Sequence, residues 1–399
     1  MGSQPPNIVL VLFDDLGPYD LGCYGQQDIK TPNIDALAAG GVRFTNCRAG
    51  SPVCSPSRYG LLTGTHAGRW PDVANGVGLR PGDLTVTDVL ANAGYRCGLF
   101  GKWGLGDRGS GSEPWFFGID RFSGWLNQLL AHESYAHSIW QDDKPWIFNE
   151  NAACKKTTYL PYVIKDQARS FVQHSNEPFF AICAFTLPHA NNEAGIIQVP
   201  SAGQYANKPW PSAERKYAAA VTLMDTWIGQ LVADAPPNTL FIVSADNGAH
   251  GEGGHDSAFF GSTGELRERK GWIYDGGLRV PLILYWPGVL APAVRDEAVW
   301  LPDVTATVAA AAGVDMATDG ASLLGAIPAR EMYFAFSDQE NRWIHGEYQQ
   351  ALVLADGKTA VRRDFGAVEL YDEEEQLVDV APQNGALAAY AAGVMDGWL

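Results

Sequence analysis

The sequence predicts an α/β fold, in which a large, mostly parallel sheet lies between helices and a small C-terminal antiparallel sheet with one helix follows. The first observation is that strand-length apolar runs alternate with helical patterns between residues 7 and 312, as in parallel sheets built from βαβ units. The second is that short strand-like segments separated by turns replace this alternation after about residue 325. We therefore predict a large α/β domain over residues 1–325 and a smaller antiparallel-sheet subdomain over residues 326–399.

The individual elements follow from local patterns. The run NIVLVLF at residues 7–13 predicts a strand buried on both faces, because it is apolar without interruption. The first helix begins at Pro32, a residue favoured in a first helical turn, and ends at Gly40. Similar patterns predict strands at residues 95–100, 179–185, 239–245 and 282–285, and helices at residues 84–93, 163–174, 213–233 and 302–312.

The C-terminal region has a different pattern. Its short strand-like segments predict an antiparallel sheet, because turns rather than helices connect them. The predicted strands are residues 331–336, 350–354, 359–363 and 368–371, and a last helix covers residues 384–394.

Polar side chains follow three of the predicted strands. Asp14 and Asp15 follow the first strand, Lys102 follows the strand at residues 95–100, and Asp246 and Asn247 follow the strand at residues 239–245. Because ligands of open α/β sheets bind beyond the carboxyl ends of the strands, these side chains predict an active site at one edge.

Composition and charge exclude several classes of function. The net charge of −17 argues against a nucleic-acid partner, because binding to phosphates depends on lysine and arginine. An anionic substrate would need a locally basic pocket. No apolar run reaches the length of a membrane span.

The cysteines and the N-terminal residues bear on the cellular compartment. None of the six cysteines shows C-x-x-C spacing, which argues against a zinc site and leaves the redox compartment open. Residues 1–6 have neither the basic region nor the apolar core of a signal peptide. We expect a native signal to have been removed and the protein to be periplasmic or secreted, with the cytoplasm as the alternative.

The acidic strand ends suggest a metal site. Asp14, Asp15, Asp246 and Asn247 supply four oxygen ligands, and hard oxygen ligands suit Ca²⁺ or Mg²⁺ better than zinc. Each pair by itself is more typical of a turn. Two pairs on strand ends of one sheet favour a metal.

A further motif surrounds Cys54. In the run CSPSRYGLLTG, Pro56 can occupy the first turn of a helix, which places Cys54 at its positive end and Arg58 one turn further on. A cysteine at a helix start can also be a plain thiol. The pattern Cys-x-Pro-x-Arg is nevertheless specific.

The sequence resembles the type I, formylglycine-dependent sulfatases of the alkaline phosphatase superfamily. The segments that carry the resemblance match in order and spacing over nearly the whole chain: residues 7–24, 31–44, 51–64, 101–106, 246–254 and 276–287. The resemblance implies an alkaline phosphatase-like fold and conversion of Cys54 to formylglycine. It also implies Ca²⁺, with Mg²⁺ possible, bound by residue 54 together with Asp14, Asp15, Asp246 and Asn247.

The resemblance implies a role for each remaining site residue. The hydrated aldehyde at residue 54 has one hydroxyl that attacks sulfur and another that later expels sulfate. Arg58 would hold the hydrate and the sulfate, and Lys102 and Lys270 would neutralise sulfate oxygens. His189 would protonate the leaving oxygen. Without the resemblance, His189 reads as part of a surface turn and Lys270 as a solvated charge.

One position departs from the family pattern. Many members have histidine two residues after the first lysine, where this chain has Gly104. We expect Asp246 to take part of the base role, or His132 to replace the histidine. His132 replacement is a hypothesis that rests on the resemblance to bacterial sulfatases with glycine at this position.

Further candidates for substrate binding are His132, His250 and His255. His250 and His255 follow the predicted metal ligand Asn247, and we expect them at the substrate rim. The tryptophans of residues 111–149 could line a sugar-binding pocket, since aromatic faces pack on sugars. Packing onto the core is an equal alternative.

The sequence thus predicts hydrolysis of sulfate esters. The expected partners are a sulfated saccharide or aryl sulfate and a maturation enzyme that generates formylglycine, with neither nucleic acid nor a membrane span. Two alternatives stay open: a phosphonate monoester or phosphodiester hydrolase, and a catalytically silent binder of sulfated glycans, which only Gly104 favours.

Overall fold

A computed structural model of the chain describes residues 5–175, 178–338, 347–372 and 376–398. The N-terminal residues 1–4, which entered the argument about a signal peptide, lie outside the described residues. The strands in chain order are β1 (Asn7–Asp14), β2 (Val42–Phe44), β3 (Cys47–Arg48), β4 (Arg96–Lys102), β5 (Arg121–Trp125), β6 (Ser138–Gln141), β7 (Lys144–Ile147), β8 (Phe179–Pro188), β9 (Thr239–Ala245), β10 (Leu282–Tyr285), β11 (Ala293–Arg295), β12 (Val299–Trp300), β13 (Met332–Ser337), β14 (Tyr348–Val353), β15 (Thr359–Arg363) and β16 (Glu369–Tyr371).

The helices lie between these strands and after them. They are α1 (Pro32–Gly40), α2 (Cys54–Thr63), α3 (Val86–Asn92), α4 (Gln128–Ala131), α5 (Leu160–His174), α6 (Ser212–Asp234), α7 (Asp275–Leu278), α8 (Leu301–Ala312) and α9 (Gly385–Asp396). None of these described helices is both long and apolar enough to cross a membrane.

The large sheet has ten strands in the order β11-β2-β10-β9-β1-β8-β4-β5-β6-β7. The central strands β9, β1, β8, β4 and β5 are parallel to their neighbours within this group. Helices α3 and α5 pack against β4, and α5 and α6 pack against β8. The predicted α/β fold with a mostly parallel sheet is confirmed.

The differences from the sequence prediction lie mainly at the two sides of this sheet. β10 has the predicted bounds, but it runs antiparallel to both β2 and β9. The strands β2, β5, β6, β7 and β11 were not predicted. Each has five residues or fewer and contains polar or charged residues, whereas the four residues of β10 form a continuous apolar run.

The C-terminal sheet has the order β13-β14-β15-β16 and is antiparallel, as predicted. Its buried face shares a hydrophobic core with Val53, Ile273 and Tyr274, which belong to the large domain. The domain boundary near residue 325 stays a prediction. This packing bears on the site because the small sheet contacts Val53, the residue that precedes Cys54.

Candidate active site

Strand ends that carry oxygen ligands meet at one edge of the large sheet. β1 ends at Asp14, which Asp15 follows, and Asp246 and Asn247 follow β9. Because β1 and β9 are adjacent and parallel, their carboxyl ends lie side by side. The backbone amide of Asp15 donates a hydrogen bond to Asp246 Oδ1 at 3.1 Å. The structure thus brings the four predicted oxygen ligands together.

Cys54 reaches this cluster from helix α2, which lies between β1 and β9 in the sequence. Helix α2 begins at Cys54, so the side chain lies at the positive end of the helix. Its Sγ is 3.3 Å from Asp14 Oδ1 and 3.8 Å from Asp15 Oδ1, and the residue is buried. Burial and the Asp14 carboxylate raise the pKa of the Cys54 thiol well above its usual range. The unmodified thiol is therefore protonated and is a poor nucleophile in this environment.

Two cationic side chains hold the carboxylates from the β4 side. Lys102, the last residue of β4, donates from Nζ to Asp14 Oδ2 at 2.8 Å. Arg58 lies one turn after the start of α2, and its Nε donates to Asp246 Oδ2 at 2.9 Å. The Arg58 guanidinium also donates to the Lys102 carbonyl at 2.6 Å. Both cations are buried, so their positive charge is directed into the site.

His189 and Lys270 close the site on the β8 side. His189 follows β8, and its Nδ1 lies 2.6 Å from the Ala190 carbonyl, which accepts the ring N–H. Lys270 donates from Nζ to His189 Nε2 at 2.9 Å and to Asp15 Oδ2 at 2.6 Å. Burial and the neighbouring Lys270 lower the pKa of His189 to about 3. His189 is therefore neutral, and the lone pair of its Nε2 faces the Lys270 ammonium.

The oxygen ligands have the properties of a cation site. Asn247 donates from Nδ2 to Asp15 Oδ1 at 2.8 Å, whereas its own Oδ1 is buried and accepts no hydrogen bond from any residue that the structure describes. Burial raises the pKa of Asp15 to about 8 despite the nearby Lys270, and the Asp14 carboxylate adds to the rise. A hard divalent cation would satisfy the orphaned oxygen and offset the crowded carboxylates. The residues present therefore fit Ca²⁺ or Mg²⁺.

His132 lies beside Lys102 and against His189. Its Nε2 is 3.2 Å from Lys102 Nζ, and its ring stacks on that of His189 with centroids 3.5 Å apart. An ammonium group has only donors, so His132 Nε2 accepts. Burial, His189 and Lys102 hold the pKa of His132 well below its usual range, so the imidazole is neutral. The geometry is compatible with the hypothesis for His132, and its role stays a prediction.

His250 and His255 are both buried, and their role in substrate binding stays a prediction. A ring nitrogen of His250 lies within 4.8 Å of carboxylate oxygens of Asp15 and Glu252. His250 Nδ1 accepts a hydrogen bond from the Glu252 amide at 3.1 Å. His255 Nδ1 lies 2.6 Å from Glu214 Oε2, and its ring stacks on Tyr217 with centroids 3.7 Å apart. His255 is thus held by α6, and neither histidine lines the entrance to the site.

The entrance is a cavity of about 600 Å³ beside Lys270. Of its lining residues, the sequence patterns indicate Lys270 as a site residue. Position in the sequence could have pointed to two more, because Asn192 follows His189 closely and Arg269 immediately precedes Lys270. None of the tryptophans of residues 111–149 is among the described residues that line it, and Trp125 is buried in the core, as the alternative interpretation expects. The lining residues are Leu129, Asn192, Glu193, Gly251, Glu252, Arg269 and Lys270.

Comparisons with known proteins identify the family of the chain. A family model described as Sulfatase matches residues 6–314. Arylsulfatase A of Homo sapiens is 33% identical over 347 residues, which cover 79% of this chain and 65% of that protein. The N-acetylgalactosamine-6-O-sulfatase of Bacteroides thetaiotaomicron is 29% identical over 385 residues, covering 77% of this chain and 73% of that protein. The chain thus spans 65% of the length of the human relative.

Solved structures share the fold. The crystal structure of Ps i-CgsB in complex with k-i-k-neocarrahexaose superposes with a TM-score of 0.82 at 24% identity, covering 99% of this chain and 93% of that one. The match extends through the small C-terminal sheet, since nearly the whole chain is covered. At this identity the likeness concerns the architecture alone.

Proposed function

The chain belongs to the sulfatase family, and from this premise we propose that it hydrolyses sulfate esters of carbohydrates and releases inorganic sulfate. One observation carries the proposal. Cys54, at the start of α2, lies in a single buried centre with the oxygen ligands of two strand ends and with the cations Arg58, Lys102 and Lys270. This combination supplies a nucleophile position, a cation site and positive charge for an anionic ester.

The proposal includes conversion of Cys54 to formylglycine by a maturation enzyme. The raised thiol pKa supports it, because the unmodified side chain is a weak nucleophile. When present, the aldehyde hydrate would supply the attacking oxygen, and a divalent cation held by Asp14, Asp15, Asp246 and Asn247 would supply charge stabilisation beside it.

The side chains around residue 54 have complementary tasks in this proposal. Lys102 and Lys270 hold the sulfate oxygens, because both are buried ammonium groups on opposite sides of the centre. His189 receives a proton and passes it to the leaving oxygen. It is neutral in the free site, so a bound anionic ester must raise its pKa before this step.

A carbohydrate substrate is favoured by the relatives and by the cavity. The Bacteroides relative is named for a sulfated amino sugar, and the cavity of about 600 Å³ has room for a sugar ring around the sulfate site. Small aryl sulfates should be turned over as surrogates.

The test is sulfate release from 4-nitrophenyl sulfate by protein produced with a formylglycine-generating enzyme. We expect turnover by the wild type, and Cys54→Ala should lower it by about a thousandfold or more, because the nucleophile is removed. Mass spectrometry should show that the CH₂SH group of residue 54 has become CHO. Full activity with an intact thiol would contradict the mechanism.

The same preparation separates the alternatives. Faster hydrolysis of an aryl phosphonate monoester than of the aryl sulfate would favour a phosphonate hydrolase. Binding of sulfated glycans without sulfate release, from protein shown to carry formylglycine, would favour the silent binder.

A further inference from the structure

The cavity beside the proposed sulfate site is larger than one sulfate group requires. Lys270 and Glu252 form one wall, and both contact the active centre. Its volume of about 600 Å³ lies in the range that holds a ligand of drug-like size. Under the proposed function, the other walls would contact the part of the substrate that carries the ester.

Arg269 has a defined place in this cavity. Its side chain is exposed and lies next to Gly251, where a built Cβ atom would be 3.0 Å from Arg269 Nε and 3.4 Å from Arg269 Cζ. A side chain at position 251 would push the guanidinium away by a few tenths of an ångström. The absence of a side chain at position 251 thus leaves room for the Arg269 guanidinium at this wall of the cavity.

The Arg269 guanidinium makes neither a hydrogen bond nor an ion pair with any residue that the structure describes. The two carboxylates of the cavity leave it unpaired: Glu252 binds Lys270 at 3.0 Å, and Glu193 lies beyond ion-pair distance from Arg269. A planar guanidinium offers five N–H donors in a fork that matches an oxyanion. Arg269 therefore presents unused donors to a ligand in the cavity.

We propose that Arg269 binds a second oxyanion of the substrate, so that the preferred substrate is a sugar with a second sulfate ester or an adjoining uronic acid. The inference rests on the proposed function, because it takes Lys270 to mark the position of the first sulfate. Glu193, on the same cavity, repels an anion at its own position and accepts sugar hydroxyl groups instead. The second oxyanion is thus confined to the side of Arg269.

Binding is measured by calorimetry in the Cys54→Ala background, so that no turnover disturbs it. The ligands are N-acetylgalactosamine 6-sulfate, N-acetylgalactosamine 4,6-disulfate and a disaccharide of uronic acid and N-acetylgalactosamine 6-sulfate. We expect one of the two doubly anionic ligands to bind about tenfold tighter than the monosulfate, as one charge-assisted hydrogen-bonded pair predicts. The ligand that shows the preference identifies the second oxyanion.

Arg269→Gln should abolish most of that preference, and Arg269→Lys should restore part of it. The matched control is Arg96→Gln, which removes the same charge at the opposite end of β4, and it should leave the preference unchanged. Equal affinity for all three ligands, or a preference that survives Arg269→Gln, would overturn the inference. Because these measurements need no catalysis, they are independent of whether the wild type releases sulfate.

Discussion

Gly104 and His132 are the two residues of the hypothesis that His132 replaces a histidine missing at position 104, and both are close to Lys102. Gly104 has a φ of +74°, a conformation that L side chains rarely adopt, and a Cβ there would lie 3.4 Å from Arg58 Cδ. A histidine at position 104 would therefore be strained. His132 instead reaches Lys102 from α4's C-terminal end, with its Nε2 at 3.2 Å.

This geometry predicts the effect of His132→Ala. We expect turnover of 4-nitrophenyl sulfate to fall about a hundredfold, because a positioned base or proton carrier contributes that much to a rate. The midpoint of thermal unfolding should change little, because the substitution removes a single hydrogen bond, the one between His132 Nε2 and Lys102 Nζ.

The control for this variant is His174→Ala, which removes an exposed histidine from the last turn of α5. It should retain wild-type turnover. If His132→Ala also retained wild-type turnover, the hypothesis for His132 would fail. Asp246, the alternative named in the sequence analysis, would then be the better candidate for the base.

At the level of elements, three strands approach each other closely just before the site. Gly101 of β4 pairs with Gly124 of β5, and a Cβ on Gly124 would lie 1.7 Å from the Gly101 carbonyl oxygen. A Cβ on Gly101 would lie 1.9 Å from the Ala184 carbonyl oxygen in β8. Glycine at both positions lets β4 deliver Lys102 to the edge of the sheet.

We therefore expect Gly124→Ala to destabilise the fold by about 3 kcal/mol, because the added methyl group forces two strands apart. Turnover should fall as well, since Lys102 is the next residue after Gly101. Thermal unfolding and aryl sulfate kinetics measure both effects.

Gly325→Ala is the matched control, because nothing lies within 4 Å of a Cβ built at that position. Its thermal midpoint should stay close to that of the wild type. An equal shift in both variants would contradict the role assigned to the close approach of β4 and β5.

At the level of the whole molecule, the C-terminal sheet supports the active centre. Gln349 of β14 accepts a hydrogen bond from the Ile273 amide at 3.3 Å and donates to the Gly271 carbonyl at 3.2 Å. Val53 packs in the same core. The small sheet thus contacts the chain just after Lys270 and just before Cys54, and none of its described residues lines the cavity.

The proposed cation site would join separate parts of the large domain. Its expected ligands lie at the ends of β1 and β9 and at the start of α2, so a bound cation should stabilise the folded state as a whole. We expect Ca²⁺ at a hundred times its dissociation constant to raise the free energy of unfolding by about 2.7 kcal/mol.

Thermal unfolding with Ca²⁺ and with a chelator measures this effect. Asn247→Ala removes the orphaned buried oxygen and should reduce the Ca²⁺-dependent shift. Identical midpoints with Ca²⁺ and chelator in the wild type would contradict a cation site here. A larger shift with Mg²⁺ than with Ca²⁺ would identify the smaller ion as the better fit.

Much of the molecule follows from local pattern. β9 and β10 and the helix α1 have the bounds that the sequence predicts, because continuous apolar runs and Pro or Gly at helix ends are local signals. The alternation of strands and helices also determined that Asp14, Lys102 and Asp246 would meet, since parallel strands end at one edge. The motif around Cys54 determined which family the chain resembles. The assignments of nucleophile and metal ligands stay predictions.

Only the tertiary structure decided the surroundings of these residues. His255 looked like a rim residue by its distance in sequence from Asn247, yet it is buried against Tyr217 of α6. The sequence did not indicate that Arg269 lines the cavity next to Lys270. A side chain lines a cavity only where other segments of the chain supply the remaining walls. The sequence by itself determined the elements and the chemistry at their ends, whose causes are local. Burial, the partner of each charge and the shape of the cavity arise from contacts between distant segments, and only the folded chain contains them.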